Sequence, residues 1–405
     1  MAADVVIVGA GQAGFQVAAS LARGGHRGGI TLLGAEPHPP YERPPLSKAF
    51  LLGDLDEDHL LFRAAAFYAE KGIALRTGVR VIGIDRADHR LRLADGTTLA
   101  YDRLVLATGA RPRRLDIPGS GLAGIHYLRD LADSRTLGAA LAGGTRLVIV
   151  GAGYIGLEVA AAANARGVPV VVVEALERAL KRTASAPVAA ALTARHARAG
   201  VAFRFGARVS AFHGRNGRLS TVALADGTTL RADRVLVGIG AAPETALAAA
   251  VGLGTADGVP VDPHGRTADP DIFAAGDCAL YAHPLAAGTV RIESVQNAVD
   301  QAKAVAAAIL GRDAPYTTVP WFWSDQYEQK LQIAGLIHPH DKIVLRGDAD
   351  ADGFSVAHLR AGRLVALEAL NRPRDYVQAR KLIAAGAAPD PARLADPAIA
   401  LRDLA

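Results

Sequence analysis

The sequence contains a single cysteine, Cys278, among 405 residues. One thiol cannot form an internal disulfide, and it cannot supply a cysteine-rich metal site. Aromatic residues make up only 5% of the chain, although half of all residues are hydrophobic. Much of the apolar content is alanine, which favours helices packed closely on sheets. The composition therefore excludes a disulfide-stabilised scaffold and favours an α/β protein.

A long uninterrupted apolar run is also absent. The most membrane-like segment, residues 147–163, contains Glu158 and three glycines, a pattern that suits a strand, a turn and a helix better than a lipid span. Residues 1–10 show no basic region followed by a long apolar core, so the pattern does not predict a secretory signal. We therefore expect a cytoplasmic protein without membrane contact.

Charge of one sign is not concentrated anywhere. Lys and Arg number 45 against 40 Asp and Glu, which gives a formal net charge of +5. The densest basic cluster is RPRR at residues 111–114, and the other basic residues are scattered. A nucleic-acid surface requires clustered cations, so we expect no nucleic acid and favour an acidic protein partner.

The most informative feature present is an internal repeat. VVIVGAGQAGFQVAASLA at residues 5–22 aligns with LVIVGAGYIGLEVAAAAN at residues 147–164, and ten of the eighteen positions are identical. Each copy has a short apolar run, then G-x-G-x-x-G, then helix-forming alanines. This pattern predicts a strand, a tight turn and a helix.

Each copy is followed by a second apolar strand that ends in an acid, Glu36 or Glu174, about 20 residues after the third glycine. In dinucleotide-binding folds the glycines allow a tight turn, close approach of a diphosphate and close packing of the helix. The helix N-terminus attracts the diphosphate, and the acid accepts hydrogen bonds from ribose hydroxyls. At the second site Glu174 is followed by Ala175 rather than by an arginine, which favours NADH over NADPH.

Two sequence patterns resemble metal sites. DADADG at residues 348–353 begins like a calcium loop, but its twelfth position is Leu359 rather than a glutamate. HPH at residues 338–340 has no third ligand nearby in the sequence. We predict a hairpin turn and a surface loop, and no metal site.

Motifs along nearly the whole chain resemble the FAD-dependent, NADH-dependent ferredoxin reductases that serve bacterial oxygenases. The resemblance implies an α/β fold with two Rossmann-like dinucleotide-binding domains, as in glutathione reductase, and a small α+β C-terminal domain. The implied boundaries are residues 1–112 with 246–320 for FAD, 113–245 for NADH and 321–405 for the C-terminal domain. Besides the two glycine motifs, the matching segments are PPYERPPLSK (39–48), LATGARPR (106–113), YLRDLADS (127–134), RTADPDIFAAGDCA (266–279), ESVQNAVDQAK (293–303) and FWSDQY (322–327).

The same resemblance implies the residues that bind each cofactor. Arg43 is expected near the FAD diphosphate and Lys48 near the isoalloxazine, with the prolines between them holding both cations in place. Glu158 is expected to pair with Lys48 and to meet the nicotinamide, so Lys48 and Glu158 are the predicted catalytic pair. The implied FAD residues are Gly9, Gly11, Ala13, Gly14, Ala35, Glu36, Arg43, Lys48, Val81, Arg129, Asp277, Val295 and Trp323. The implied NADH residues are Gly151, Gly153, Ile155, Gly156, Glu158, Glu174, Arg182 and Gly240.

The absence of a second cysteine bears on the expected reaction. Relatives with the glutathione-reductase fold place a cysteine pair after the second strand, and this chain has none there. The resemblance therefore implies that electrons from NADH leave the flavin directly for an acidic [2Fe-2S] ferredoxin that serves an oxygenase. Rubredoxin, a quinone or monodehydroascorbate are alternative acceptors, and a binding flavoprotein similar to apoptosis-inducing factor is the alternative from another functional class.

Overall fold

The computed structural model describes residues 3–141, 144–286 and 288–404. From the N-terminus to residue 126, the strands are β1 (Val5–Val8), β2 (Ile30–Leu33), β3 (Ile73–Arg76), β4 (Val81–Asp85), β5 (Arg90–Leu93), β6 (Thr98–Ala100), β7 (Arg103–Leu106), β8 (Ala110–Pro112) and β9 (Ile125–His126). The next strands are β10 (Leu147–Val150), β11 (Val170–Glu174), β12 (Ala202–Phe205), β13 (Val209–Arg215), β14 (Arg218–Leu224), β15 (Thr229–Arg231), β16 (Arg234–Val237) and β17 (Ala241–Pro243). The remaining strands are β18 (Val259–Pro260), β19 (Ile272–Ala274), β20 (Ala279–Ala282), β21 (Thr289–Val290), β22 (Trp321–Gln326), β23 (Gln329–Gly335), β24 (Lys342–Arg346), β25 (Phe354–Arg360) and β26 (Arg363–Leu370).

The helices lie between these strands and after the last of them. They are α1 (Gln12–Arg23), α2 (Ala49–Leu52), α3 (Ala65–Glu70), α4 (Leu131–Ala140), α5 (Tyr154–Ala165), α6 (Ala186–Arg198), α7 (Ala246–Ala249), α8 (Val295–Ile309), α9 (Pro373–Ala384) and α10 (Pro391–Ala395). Short 3-10 helices occupy Pro44–Ser47, Asp58–Leu60 and Leu401–Leu404.

The chain divides into two compact units. Unit 1 comprises the described residues of Met1–Glu42, Asp58–Arg111 and Ala242–Pro320. Unit 2 comprises those of Arg43–Glu57, Pro112–Ala241 and Trp321–Ala405. The PPYERPPLSK segment therefore contributes its first residues to unit 1 and its last residues to unit 2.

Unit 1 is built on a parallel sheet with strand order β3-β2-β1-β7-β19. Its central strand, Val5–Val8, is buried along its whole length. A parallel sheet with covered faces requires such continuous apolar strands. On one face Ile7 packs with Val17 and Leu21 of α1, and α8 also contributes to this cluster. The antiparallel strands β4-β5-β6 form a separate three-stranded sheet.

Unit 2 repeats this arrangement with strand order β12-β11-β10-β16-β9 and a three-stranded sheet β13-β14-β15. The edge strand that stands last in each order, β19 in unit 1 and β9 in unit 2, comes from a different part of the chain. In unit 1 it is Ile272–Ala274, which follows the glycine motif by more than half the chain, whereas in unit 2 it is Ile125–His126, which precedes the motif. Unit 2 also contains the antiparallel sheet β22-β23-β26-β25-β24, with α9 packed on β26 and β23.

The predicted fold class is confirmed: two parallel-sheet dinucleotide-binding folds accompany a C-terminal antiparallel sheet with helices. In the described part of the chain no helix is both long enough and apolar enough to cross a membrane.

Candidate functional site

The first glycine loop connects β1 to α1 in unit 1. Gly9 has φ +112°, and a side chain there would place its Cβ 2.1 Å from the carbonyl oxygen of Ala107. A Cβ on Gly14 would lie 1.8 Å from the carbonyl oxygen of Gly9, so the helix packs directly against the loop. A Cβ on Gly11, in contrast, would meet nothing within 4 Å. The loop is thus closed toward the sheet and open at its central glycine, which fits a diphosphate at the N-terminus of α1.

The second glycine loop, between β10 and α5 in unit 2, has the same geometry. Gly151 has φ +104°, and its Cβ would lie 2.3 Å from the carbonyl oxygen of Gly238. A Cβ on Gly156 would come within 2.3 Å of the Gly151 carbonyl oxygen, while one on Gly153 would have its nearest neighbour at 4.0 Å. This loop therefore also leaves open space at the central glycine and fits a second diphosphate.

The two acids at the ends of the second strands are held differently. The Tyr41 hydroxyl donates to Oε2 of Glu36 at 2.5 Å. The Glu174 carboxylate accepts hydrogen bonds from backbone N–H groups, that of Ala152 at 2.8 Å and that of Leu176 at 2.9 Å. Because Ala152 lies inside the glycine loop, Glu174 joins that loop directly to the end of β11.

The other predicted FAD residues of unit 1 lie at the ends of elements. Ala13 is buried in the first turn of α1, Ala35 is exposed after β2, Val81 begins β4 and Val295 begins α8. Asp277 follows Gly276, whose N–H donates to Oε1 of buried Gln301 at 2.8 Å.

The Gly276 turn is supported by further buried polar groups. Asn297 donates from Nδ2 to the same Gln301 oxygen at 3.3 Å, and its Oδ1 accepts from the Tyr281 hydroxyl at 3.1 Å. The carbonyl oxygen of Asp277 accepts from Arg291 at 3.1 Å. This network fixes the backbone that carries the Asp277 side chain.

The remaining predicted FAD residues, Arg43, Lys48, Arg129 and Trp323, belong to unit 2. Nη1 of Arg43 donates to the carbonyl oxygen of Arg129 at 2.7 Å, so the structure brings these two predicted residues together. Trp323 lies on β22, half-buried, with its ring centroid 5.6 Å from that of Trp321.

The predicted catalytic pair also forms within unit 2. Nζ of Lys48 lies 2.9 Å from Oε1 of Glu158, whose side chain is only 6% exposed. Two serines complete the contacts of this carboxylate: Ser324 donates to Oε1 at 2.6 Å and Ser47 donates to Oε2 at 2.5 Å. A buried carboxylate needs such partners, because desolvation of an unpaired charge is costly. We call Ser47, Lys48, Glu158 and Ser324 the carboxylate cluster.

Of the other predicted NADH residues, only Ile155 is close in sequence to the second glycine loop, and Arg182 and Gly240 lie further along the chain. Ile155 is 46% exposed and lies at the start of α5. Arg182 and Gly240 are exposed, and Gly240 accepts a backbone hydrogen bond from Arg113 at 2.9 Å.

Cys278 is fully buried, and Sγ lies 3.4 Å from the carbonyl oxygen of Leu106. Burial raises the pKa of this thiol. A buried, protonated thiol is a poor nucleophile and a small apolar side chain. Cys278 therefore packs the core of unit 1. Among the residues that the structure describes, no group of three or more His, Cys, Asp or Glu side chains could hold a metal ion.

Comparison with known proteins identifies the family. Residues 3–302 match the pyridine nucleotide-disulphide oxidoreductase family, and residues 321–405 match the reductase C-terminal family. The chain belongs to the pyridine nucleotide-disulphide oxidoreductases. This family uses FAD and NAD(P)H, which confirms the predicted cofactors and an oxidoreductase activity.

Individual relatives extend over almost the whole chain. Rhodocoxin reductase of Rhodococcus erythropolis is 46% identical over 393 residues, which cover 97% of this chain and 92% of the relative. The ferredoxin–NAD(+) reductase component of the anthranilate 1,2-dioxygenase system of Burkholderia cepacia is 44% identical over 404 residues, 99% of each chain. The crystal structure of a covalent putidaredoxin reductase–putidaredoxin complex contains a chain that is 40% identical, with a TM-score of 0.96 and coverage of 99% of this chain and 98% of that one. The resemblance stated from the motifs is confirmed.

Several residues that organise the site were not predicted from the sequence: Tyr41, Ser47, Gln301 and Ser324. Tyr41 and Ser47 lie inside PPYERPPLSK, and Ser324 lies inside FWSDQY, so the motifs contained them. A usable signal was the acid Glu158 itself, because a carboxylate in an apolar helix needs hydrogen-bond donors from elsewhere in the chain.

Proposed function

We propose that this chain is an NADH-dependent flavoprotein reductase that passes electrons through FAD to a [2Fe-2S] ferredoxin. The ferredoxin would in turn supply a haem-thiolate monooxygenase or a ring-hydroxylating dioxygenase. The observation that carries the proposal is the presence of two glycine loops, both open at the central glycine, in a chain whose one thiol is buried. Two dinucleotides can bind, and no dithiol can receive the electrons.

The two glycine loops are assigned to different dinucleotides in this proposal. Gly9, Gly11, Ala13 and Gly14 hold the FAD diphosphate with Glu36 at the ribose, and Gly151, Gly153, Ile155 and Gly156 hold that of NADH with Glu174 at the ribose. We assign residues 1–112 and 246–320 to FAD, 113–245 to NADH and 321–405 to the C-terminal domain. The remaining proposed FAD residues are Ala35, Arg43, Lys48, Val81, Arg129, Asp277, Val295 and Trp323. The remaining proposed NADH residues are Glu158, Arg182 and Gly240.

The protein's own contribution to the reaction is positioning and charge. Bound FAD supplies the redox chemistry, accepting a hydride equivalent and releasing single electrons. Lys48 provides a positive charge whose position is fixed by Glu158, and such a preorganised cation stabilises negative charge that develops on a neighbouring group. Glu158 orients both Lys48 and the nicotinamide end of the nucleotide.

The proposed acceptor agrees with the relatives and with the charge of the chain. The Burkholderia relative is named as a ferredoxin–NAD(+) reductase component of a dioxygenase system. A formal net charge of +5 favours encounter with an acidic ferredoxin, because complementary charge raises association rates. We also propose a cytoplasmic location, where NADH is available.

A steady-state acceptor comparison tests this function. NADH oxidation is measured with an acidic [2Fe-2S] ferredoxin, a rubredoxin, a soluble quinone and monodehydroascorbate, each over a range of salt concentrations. We expect the highest kcat/KM with the ferredoxin and a decline as salt screens the charges. A higher kcat/KM with any other acceptor would contradict the proposed partner, and no turnover with any acceptor would contradict the enzyme assignment.

A further inference from the structure

A chain of buried polar side chains leads away from the carboxylate cluster inside unit 2. Nε2 of Gln326 lies 3.2 Å from Oγ of Ser324, and Oε1 of Gln326 lies 2.9 Å from Nε2 of His196. Ser324 and Gln326 are each 1% exposed, and His196 is 0% exposed. Together with the contact of Ser324 to Glu158, these side chains form a continuous path from α6 through β22 to α5, which we call the polar chain.

The direction of the hydrogen bonds in the polar chain follows from Glu158. An ionised carboxylate paired with Lys48 can only accept, so the hydroxyl proton of Ser324 points to Oε1 of Glu158. The oxygen of Ser324 must then accept from Gln326, which therefore presents its NH2 group. The carbonyl oxygen of Gln326 consequently faces His196.

This order of donors assigns the tautomer of His196. Nε2 must carry the proton that is donated to Gln326, and Nδ1 must then be unprotonated in the neutral ring. Nδ1 of His196 indeed has no hydrogen-bond partner among the described residues. Burial lowers the pKa of His196, which keeps the ring neutral near pH 7. The ring is held edge-on by Tyr327 and Phe203, with centroids 5.0 and 6.1 Å away.

The number of hydrogen-bond donors on Glu158 indicates what the polar chain does. Ser324 and Lys48 contact Oε1, and Ser47 contacts Oε2. A carboxylate has about four acceptor positions, so about one remains for a ligand once three donors have fixed its plane. Fixed charge and direction are required of a group that orients a substrate, since small misplacements are costly in rate.

We propose that Ser324 and Gln326 are positioning residues for Glu158, and that the polar chain from His196 keeps the Glu158 carboxylate as the terminal acceptor, aimed at Lys48 and at NADH. This inference rests on the proposed function, because it deepens the role of the same site. Ser47 donates to the other carboxylate oxygen of Glu158 and helps to position this carboxylate in the same way.

Two serine-to-alanine variants provide a matched comparison. Ser324→Ala removes the donor to Glu158, whereas Ser355→Ala removes a hydroxyl that donates to the buried carboxylate of Asp375 at 3.0 Å, outside the polar chain. Both serines are nearly inaccessible, at 1% and 0% exposure. A general loss of buried hydrogen bonding would affect both variants equally.

The first readout is anaerobic stopped-flow reduction of the flavin in the holoenzyme by NADH. We expect the limiting rate to fall on the order of tenfold or more in Ser324→Ala, the effect of losing a hydrogen bond to a charged group, with Ser355→Ala within about twofold of wild type. Ser324→Thr retains the hydroxyl, and we expect it to restore most of the rate. Equal rates in Ser324→Ala and Ser355→Ala would overturn the proposal.

The second readout is the histidine ring-nitrogen NMR spectrum of ¹⁵N-histidine-labelled holoenzyme, with His196 assigned by its loss in His196→Gln. We expect a neutral ring protonated on Nε2. Protonation on Nδ1 would reverse the order of donors and overturn the polar chain. This readout requires no turnover. If NADH failed to reduce the wild-type protein, the proposed function would be contradicted, and the tautomer of His196 would still test the polar chain.

Discussion

The two glycine-motif helices carry different side chains at equivalent positions. In the alignment of residues 5–22 with 147–164, Gln16 of α1 corresponds to Glu158 of α5. Gln16 is half-buried and donates to Ser20 on its own helix at 2.8 Å. Glu158 is buried and binds Ser47, Lys48 and Ser324, which come from two other segments of the chain.

The two copies therefore share the geometry of the glycine loop and differ in the side chain on the helix that follows it. Both copies have a loop that is closed toward the sheet and open at the central glycine, a geometry that fits a diphosphate. Only the second copy has a buried charge one turn further along its helix. We infer that the first copy binds a resident cofactor, whereas the second copy both binds a nucleotide and takes part in its reaction.

The largest expected effect comes from closing one glycine loop at a time. In Gly14→Ala the new Cβ would lie 1.8 Å from the Gly9 carbonyl oxygen, so α1 must shift away from the loop. We expect less than about a tenth of the wild-type FAD content, measured by flavin absorbance per mole of protein. Gly156→Ala should retain FAD and weaken NADH binding by about tenfold or more.

Gly121→Ala is the control for both variants, since its Cβ would meet nothing within 4 Å and its φ is not positive. We expect wild-type FAD content and NADH affinity. The assignment of the two loops would be wrong if Gly14→Ala kept its flavin and lost only NADH affinity.

The next largest effect is expected from making the second copy like the first. Glu158→Gln keeps the size of the side chain but leaves Lys48 without its partner carboxylate. We expect flavin reduction by NADH to slow by about ten- to a hundredfold, as for loss of charge-assisted hydrogen bonds. Stopped-flow absorbance at the flavin band provides the measurement.

Glu328→Gln supplies the matched control, because Glu328 pairs with Arg195 in the same unit but is 60% exposed. Exposed ion pairs contribute little, so its reduction rate should remain near wild type. Equal slowing in both variants would show that Glu158 has no special part in the reaction.

A smaller effect is expected from the different partners of the two acids that follow the second strands, Glu36 and Glu174. Tyr41→Phe removes the hydroxyl that holds Glu36, while Glu174 keeps its backbone partners. We expect FAD affinity to fall by about three- to tenfold and NADH affinity to stay constant, by fluorescence titration of each. Tyr101→Phe, whose ring stacks on His89 in the same unit, serves as the control. An unchanged FAD affinity in Tyr41→Phe would remove Glu36 from the proposed site.

The smallest effect is expected at Cys278. The thiol is fully buried and its pKa is raised by burial, so Cys278→Ser should change neither flavin reduction nor electron transfer to ferredoxin by more than about twofold. In the wild-type protein, thiol reagents should react with Cys278 only after the protein has been unfolded. Loss of ferredoxin reduction in Cys278→Ser, with flavin reduction intact, would place the thiol on the electron path.

The parts of the fold that the sequence predicted are local in the chain. Each glycine loop with its strand, helix and acid spans about 30 residues, and the spacing itself carries the geometry. The carboxylate cluster is only half predicted: the resemblance implies the pairing of Lys48 with Glu158, whereas nothing in the sequence links Glu158 to Ser47 and Ser324, which are 111 and 166 residues away. No spacing rule relates residues so far apart.

The FWSDQY segment shows why Ser324 could not be predicted from its motif alone. The resemblance implies that its aromatic residue, Trp323, lies at FAD, and Trp323 and Ser324 are neighbours on β22. Successive side chains of a strand point to opposite faces, so the serine reaches a different environment from the tryptophan. In the structure it is Ser324 that contacts Glu158, at 2.6 Å. Such a pairing depends on tertiary packing.

The most direct test of the proposed ferredoxin reductase activity is a sequential anaerobic stopped-flow experiment on the FAD-containing protein. NADH is mixed first and an acidic [2Fe-2S] ferredoxin second, with the flavin and iron-sulfur absorbances followed separately. We predict rapid bleaching of the flavin, followed by reduction of the cluster as the flavin is reoxidised. Rapid bleaching with a cluster that stays oxidised would contradict the ferredoxin reductase assignment.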